Sequence, residues 1–172
     1  MNLPELLKDK ALKPKLKTET IAQALLNTSL PISQLLTFAQ TAKDPEKATC
    51  IEAMEFASQK NANLITIEGL QFVISSLTAK APRIKWESAK VIGNIAHLYP
   101  NNLDKAIENL LINSEHTGTV VRWSAAFALG EIIKLKLKKY ADLLPSIQNI
   151  MEREEKNSIK KIYLAALKKA NG

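Results

Sequence analysis

Two fifteen-residue stretches of this chain are versions of one another. Residues 82–96 read PRIKWESAKVIGNIA and residues 119–133 read TVVRWSAAFALGEII. A shift of 37 positions sets Trp86 on Trp123, Ile84 on Val121, Lys85 on Arg122, Ala89 on Ala126, Ile92 on Leu129 and Gly93 on Gly130. A further copy lies 36 positions upstream, where Ala48, Ala53, Phe56 and Ala57 fall on Ile84, Ala89, Ile92 and Gly93. Another lies 38 positions downstream, where Ile159, Lys160, Leu164 and Leu167 fall on Val121, Arg122, Ala126 and Leu129. Recurrence at a period of this length marks an array of supersecondary units. A unit this small cannot hide its own apolar side, so consecutive units stack and share one core.

The segments between the copies carry apolar residues at helical spacing. Ile32, Leu35, Leu36 and Ala39 form one such stripe, and Ile67, Leu70, Val73, Ile74 and Leu77 a second. Leu103, Ala106, Ile107, Leu110 and Leu111 make a third, and Leu143, Leu144, Ile147, Ile150 and Met151 a fourth. Each copy is thus the second helix of a hairpin. The divisions predict hairpins over 31–59, 63–98, 101–138 and 141–172, preceded by capping helices in 1–30, all in one continuous domain. Asp44-Pro45-Glu46 reads as a helix start, with Asp44 as the cap. Asn63, Asn102, Asp142 and Asn157 are placed to cap later helices. Gly69 falls inside a predicted helix, where glycine costs about 1 kcal/mol relative to alanine.

This arrangement resembles the HEAT repeat family, over roughly Pro31 to Gly172. Val121-Arg122, Ala125-Ala126 and Ala128-Leu129-Gly130 match the family's second-helix pattern in order and spacing, and Asp44-Pro45 is similar to its turn. Residues 87–96, with Asn94, also look like an armadillo third helix, although Lys90 stands where that family carries tryptophan. The resemblance implies an all-α fold: a right-handed α-α superhelix of about four helical hairpins with an N-terminal helical cap. It implies second helices on the concave face. It also implies a basic residue, here Lys85, Arg122 and Lys160, that bonds to neighbouring turns, with Thr49 at that position in the first repeat.

Chemistry is sparse. Three of the four aspartates, Asp44, Asp104 and Asp142, sit at predicted helix starts, where the helix dipole accounts for them. His97 and His116 have no cysteine or carboxylate at metal-ligand spacing. Neither a phosphate-binding glycine loop nor a nucleophile elbow is present. The expectation is a protein without catalytic activity, cofactor or metal. The lone cysteine, Cys50, excludes an intrachain disulfide, and no apolar run approaches the roughly 18 residues of a membrane span. A cytoplasmic monomer is expected.

The net charge of +7 is uneven: residues 121–172 hold 11 basic against 5 acidic side chains. Such a patch steers an acidic partner, or it is the solvated end of an array. At about 100° per residue, Val121, Ala125, Ala128, Leu129 and Ile132 share one side of their helix, and Trp123, Phe127, Gly130 and Lys134 the other. Trp86, Lys90, Gly93 and His97 match them one repeat earlier. Cys50 and Met54 are expected to continue the row on one flank, and Lys161 and Ala165 on the other. One reading makes Trp86, Lys90, His97, Trp123, Phe127 and Lys134 a binding ridge for a protein or peptide, with acidic character suited to the neighbouring cations. The other packs both tryptophans between repeats, with Gly93 and Gly130 allowing close helix approach. Nucleic-acid binding is the alternative function, by stacking and phosphate contact. It includes a resemblance to HEAT-like alkylpurine DNA glycosylases, which need a cleft carboxylate; Glu87 is the nearest candidate. HEAT-type lyases, which assist a pigment or enzyme partner, are a third possibility.

Overall fold

The computed structural model describes all residues, 1–172, and every regular element in it is helical. Ten α-helices follow in chain order: α1 (Leu3–Lys8), α2 (Pro14–Leu26), α3 (Ile32–Thr41), α4 (Asp44–Lys60), α5 (Ile67–Ser76), α6 (Pro82–Ile95), α7 (Asp104–Asn113), α8 (Thr119–Ile133), α9 (Leu143–Arg153) and α10 (Asn157–Asn171). They stand in two rows. The even-numbered helices pack in succession, α2 on α4, α4 on α6, α6 on α8 and α8 on α10, and form the inner row. The odd-numbered helices cover them from outside. The segment expected as an N-terminal cap is itself a short hairpin, α1–α2. One continuous apolar core runs from Leu3 to Ala166.

Helix starts use prolines more than side-chain caps. Pro14 and Pro82 each open their helix, where the missing N–H has no intrahelical partner to lose. The expected caps are corrected. Thr66, not Asn63, caps α5 by accepting from the Gly69 N–H at 3.4 Å, and Asn63 lies in a 3₁₀ turn. Leu103, not Asn102, precedes α7, and Asn157 is the first residue of α10. Asp142 holds the cap position of α9 without a side-chain bond, and Asp44 lies one residue inside α4. Asp44, Asp104, Asp142 and Asn157 are exposed, which leaves the first N–H groups beside them open to water. Gly69 sits in the first turn of α5 for a steric reason: a Cβ there would stand 2.8 Å from Ile65 Cγ2.

Bonds along both edges tie the middle hairpins together. Tyr99 Oη donates to the Ile65 carbonyl at 2.5 Å, and Tyr140 Oη to the Pro100 carbonyl at 3.2 Å. On the opposite edge, Asn109 and Asn113 of α7 donate to the Ile74 and Leu77 carbonyls at the end of α5.

Candidate functional site

The fourth residue of every inner helix is basic: Lys17, Lys47, Lys85, Arg122 and Lys160. Lys17 Nζ donates to the Leu7 carbonyl at 2.6 Å. Lys85 Nζ donates to the Leu77 carbonyl at 3.1 Å and to Asn113 Oδ1 of the next hairpin at 3.3 Å. Arg122 reaches the His116 and Thr117 carbonyls and, through Nε, Glu154 Oε2 of the next hairpin at 3.0 Å. Burial raises the Glu154 carboxyl; the Arg122 bonds and the Lys156 N–H outweigh it and hold the group below the usual carboxylate range.

This series corrects the first repeat. Lys47, not Thr49, holds the basic position, and 38 residues separate it from Lys85, not the 36 read from the apolar matches. At 38 the buried and exposed positions of α4 and α6 agree almost throughout. Cys50 and Met54 therefore leave the expected ridge. Both are fully buried, and Met54 points at Gly69 of α5. Burial pushes the Cys50 thiol up to about 12, with the Glu46 charge adding to it.

The open face of the inner row instead presents Glu52, Phe56 and Gln59 on α4, and Trp86, Lys90 and Asn94 on α6, with His97 exposed in the 3₁₀ turn beyond. It continues with Trp123, Phe127 and Glu131 on α8 and its C-cap residue Lys134, and with Lys161, Ala165 and Lys169 on α10. Trp123 is 38% exposed and stacks on Phe127, their centroids 6.0 Å apart and the planes 10° from parallel. The Phe127 ring lies over Gly93 of the preceding inner helix, where a Cβ would meet its Cε1 at 2.4 Å. Gly130 plays the same part toward Ala166 of α10, at 3.2 Å. Trp86 is half-buried, and its indole N–H donates to Glu87 Oε1 at 2.9 Å.

Most cations expected to edge the groove already have partners. Lys90 Nζ lies 3.2 Å from Glu87 Oε2 and 3.6 Å from Glu55 Oε2, and both carboxylates are buried. Lys134 pairs with Glu131 at 2.6 Å. Glu87 does not stand free as a cleft carboxylate: it is 4% exposed and occupied by Trp86 and Lys90. Burial raises its carboxyl above the ordinary range despite Lys90. Sequence reasoning did not assemble the rest of this polar seam. Thr18 Oγ1 donates to Glu52 Oε2 at 2.9 Å, Arg83 pairs with the same oxygen at 2.5 Å, and Asn94 Nδ2 bonds Ser58 Oγ at 3.0 Å. Its trace was present: Arg83, Glu87, Lys90 and Asn94 are spaced along one side of α6. Lys160, Lys161, Lys168 and Lys169 on α10 carry no acidic partner. No three His, Cys, Asp or Glu side chains converge as a metal site, and no helix is long and apolar enough to cross a membrane.

No protein-family model and no curated protein matches the chain. Solved structures do. A designed armadillo repeat protein, in complex with the peptide (KR)4, superposes with a TM-score of 0.76 at 17% identity, over 98% of this chain and 80% of that one. An engineered protein gives a TM-score of 0.76 at 19% identity, over 99% and 80% of the two chains. The complex of CpcE and CpcF of phycocyanin lyase from Nostoc sp. PCC7120 gives 0.68 at 18%, over 95% and 96%. The paired rows, the cation recurring at one position of each inner helix and these superpositions agree: the chain has the helical-solenoid fold of the armadillo and HEAT repeat proteins.

Proposed function

We propose that this protein is a non-enzymatic cytoplasmic binding module that takes an extended protein or peptide segment along the open face of its inner helices. The observation that carries this reading is the Trp123–Phe127 stack, with Trp123 38% exposed at the centre of that face. A large aromatic held in a fixed pose offers apolar contact at little entropic cost, and such residues dominate binding energy at interfaces. The designed armadillo protein with its bound peptide supports an extended ligand on this fold. Because Lys90 and Lys134 are neutralised internally, the centre of the face selects by shape. Charge is read at one end, where Lys161 and Lys169 favour acidic residues in the segment.

Selection from a displayed random-peptide library tests this. Enriched peptides should lose about 30-fold or more in affinity on Trp123→Ala, the scale of an anchor residue. Thermal stability should fall by less than the roughly 3–5 kcal/mol of a core tryptophan. Enriched peptides indifferent to both Trp123→Ala and Trp86→Ala would remove the reading. A nucleic-acid reading rests on the α10 lysines; its mark is affinity that drops steeply with salt.

A further inference from the structure

The helices of the inner row bury equivalent positions, except at the two ends. On α8, Ala126, Gly130 and Ile133 are buried, and Gly130 is where α10 approaches. Their equivalents 38 residues on are Leu164, Lys168 and Asn171. All three are exposed, Leu164 at 45%. At the other end, Thr49, Ala53 and Ala57 of α4 are buried, while Glu19 and Gln23 of α2 and its C-cap residue Asn27, 30 residues earlier, are exposed. Leu16, at the start of that face, is 46% exposed. A terminal repeat ordinarily closes an array with a polar surface. Here each end carries an exposed leucine among polar groups: lysines on α10, and on α2 two amides and a glutamate that pairs with Lys15.

The cation series makes the same point independently. Arg122 of one hairpin binds Glu154 of the next, and Glu154 is the C-cap residue of the outer helix α9. Its Oε1 also accepts the N–H of Lys156, two residues on, at 3.0 Å. Lys160 holds the position of Arg122 on α10 and has no side-chain acceptor. Asp9 holds the position of Glu154, as the C-cap residue of α1. Its Oδ1 accepts the N–H of Ala11, again two residues on, at 2.7 Å, and no cation pairs with it. One end offers the donor of this bridge and the other end the acceptor.

From this pairing we infer that the α10 end of one copy stacks on the α1–α2 end of a second copy. Lys160 bridges to Asp9 of that copy and Leu164 packs on its Leu16. The contact continues the interface already made between successive hairpins. It replaces the monomer expected from the sequence with a head-to-tail assembly, which runs on as a filament or closes as a ring. It leaves the open face clear, so its success or failure is separate from that of peptide binding.

Sedimentation velocity of the full chain across a concentration series tests it. The wild type should gain mass with concentration. Leu164→Glu, at an exposed position and checked for folding by circular dichroism, should remain a single chain. Lys160→Glu should weaken association about tenfold, and adding Asp9→Lys to the same chain should restore it, as expected of a charge pair at an interface. A wild type that stays one chain at every concentration overturns the inference. So does an assembly indifferent to Leu164→Glu and to the charge reversal, since it would use another face. As a second readout, an Asp9→Cys chain mixed with a Lys160→Cys chain should cross-link more readily than either chain alone; buried Cys50 stays silent.

Discussion

Phe127 occupies the space that a side chain on Gly93 would need, so this glycine is there for its neighbour more than for its backbone. The consequence reaches Trp123, because the ring over Gly93 is the ring on which the indole stacks. Gly93→Ala sets two effects against each other. Alanine gains about 1 kcal/mol of helix propensity, and a contact at 2.4 Å costs about 1–3 kcal/mol as overpacking. The expected outcome is a small net destabilisation with a large change in near-ultraviolet circular dichroism, as Phe127 shifts and the stack opens. An unchanged aromatic spectrum would show that the ring rests elsewhere. Trp86 is constrained differently, by a hydrogen bond to a buried carboxylate. The sequence sets both tryptophans opposite the apolar side of their helices and leaves open whether they line a groove or pack between repeats. It does not reveal that one is held by a ring and the other by an acid, because each partner lies within four residues on the same helix, and several side chains there compete for that role.

At the scale of elements, the bridge from α8 to the end of α9 should make stability depend on pH in a definite direction. The Glu154 carboxyl lies below its ordinary value when folded. Its contribution is therefore complete above the unfolded value of about 4.3 and disappears as pH falls through the folded one. Glu154→Gln should cost about 1.5–3 kcal/mol at pH 7, the range for hydrogen bonds to a charged group. The gap between variant and wild type should close on acidification toward pH 3, measured by urea unfolding. A gap that is constant with pH would mean that the Glu154 charge contributes nothing to the junction. The pairing of helices was legible in the sequence because buried faces need apolar residues at helical spacing, and Ile67 to Leu77 or Leu143 to Met151 satisfy that in one way only. The register of α4 was not. Alanines and isoleucines substitute freely for one another in a helical core, so Ala48, Ala53 and Ala57 fitted a shift of 36 as well as the correct 38. Lys47, the residue that settles the register, is one lysine among several and becomes distinctive only once the helix start is known. The caps failed for a related reason: asparagine and aspartate are common in turns whether or not they cap.

Across the whole molecule, the hairpins share a single apolar core from Leu3 to Ala166. An array whose units contact only their neighbours can open piecemeal when the interfaces between units are weak. Here the inner helices pack chiefly on one another, more than on the outer helices of their own hairpins. Loss of one hairpin exposes its neighbour, and unfolding should be all-or-none. Cys50 reports on this from the middle of the array. It is buried, and burial pushes its thiol up to about 12, so the thiol form prevails at pH 8. A thiol reagent should therefore modify it only after opening. If the chain opens as one unit, the logarithm of the labelling rate will rise with urea at the slope found for loss of helical signal. A shallower slope would mean that α3–α4 opens while the rest stays folded. The core would then be a chain of separable pieces, and neither the ends nor the open face could be treated as belonging to one rigid body.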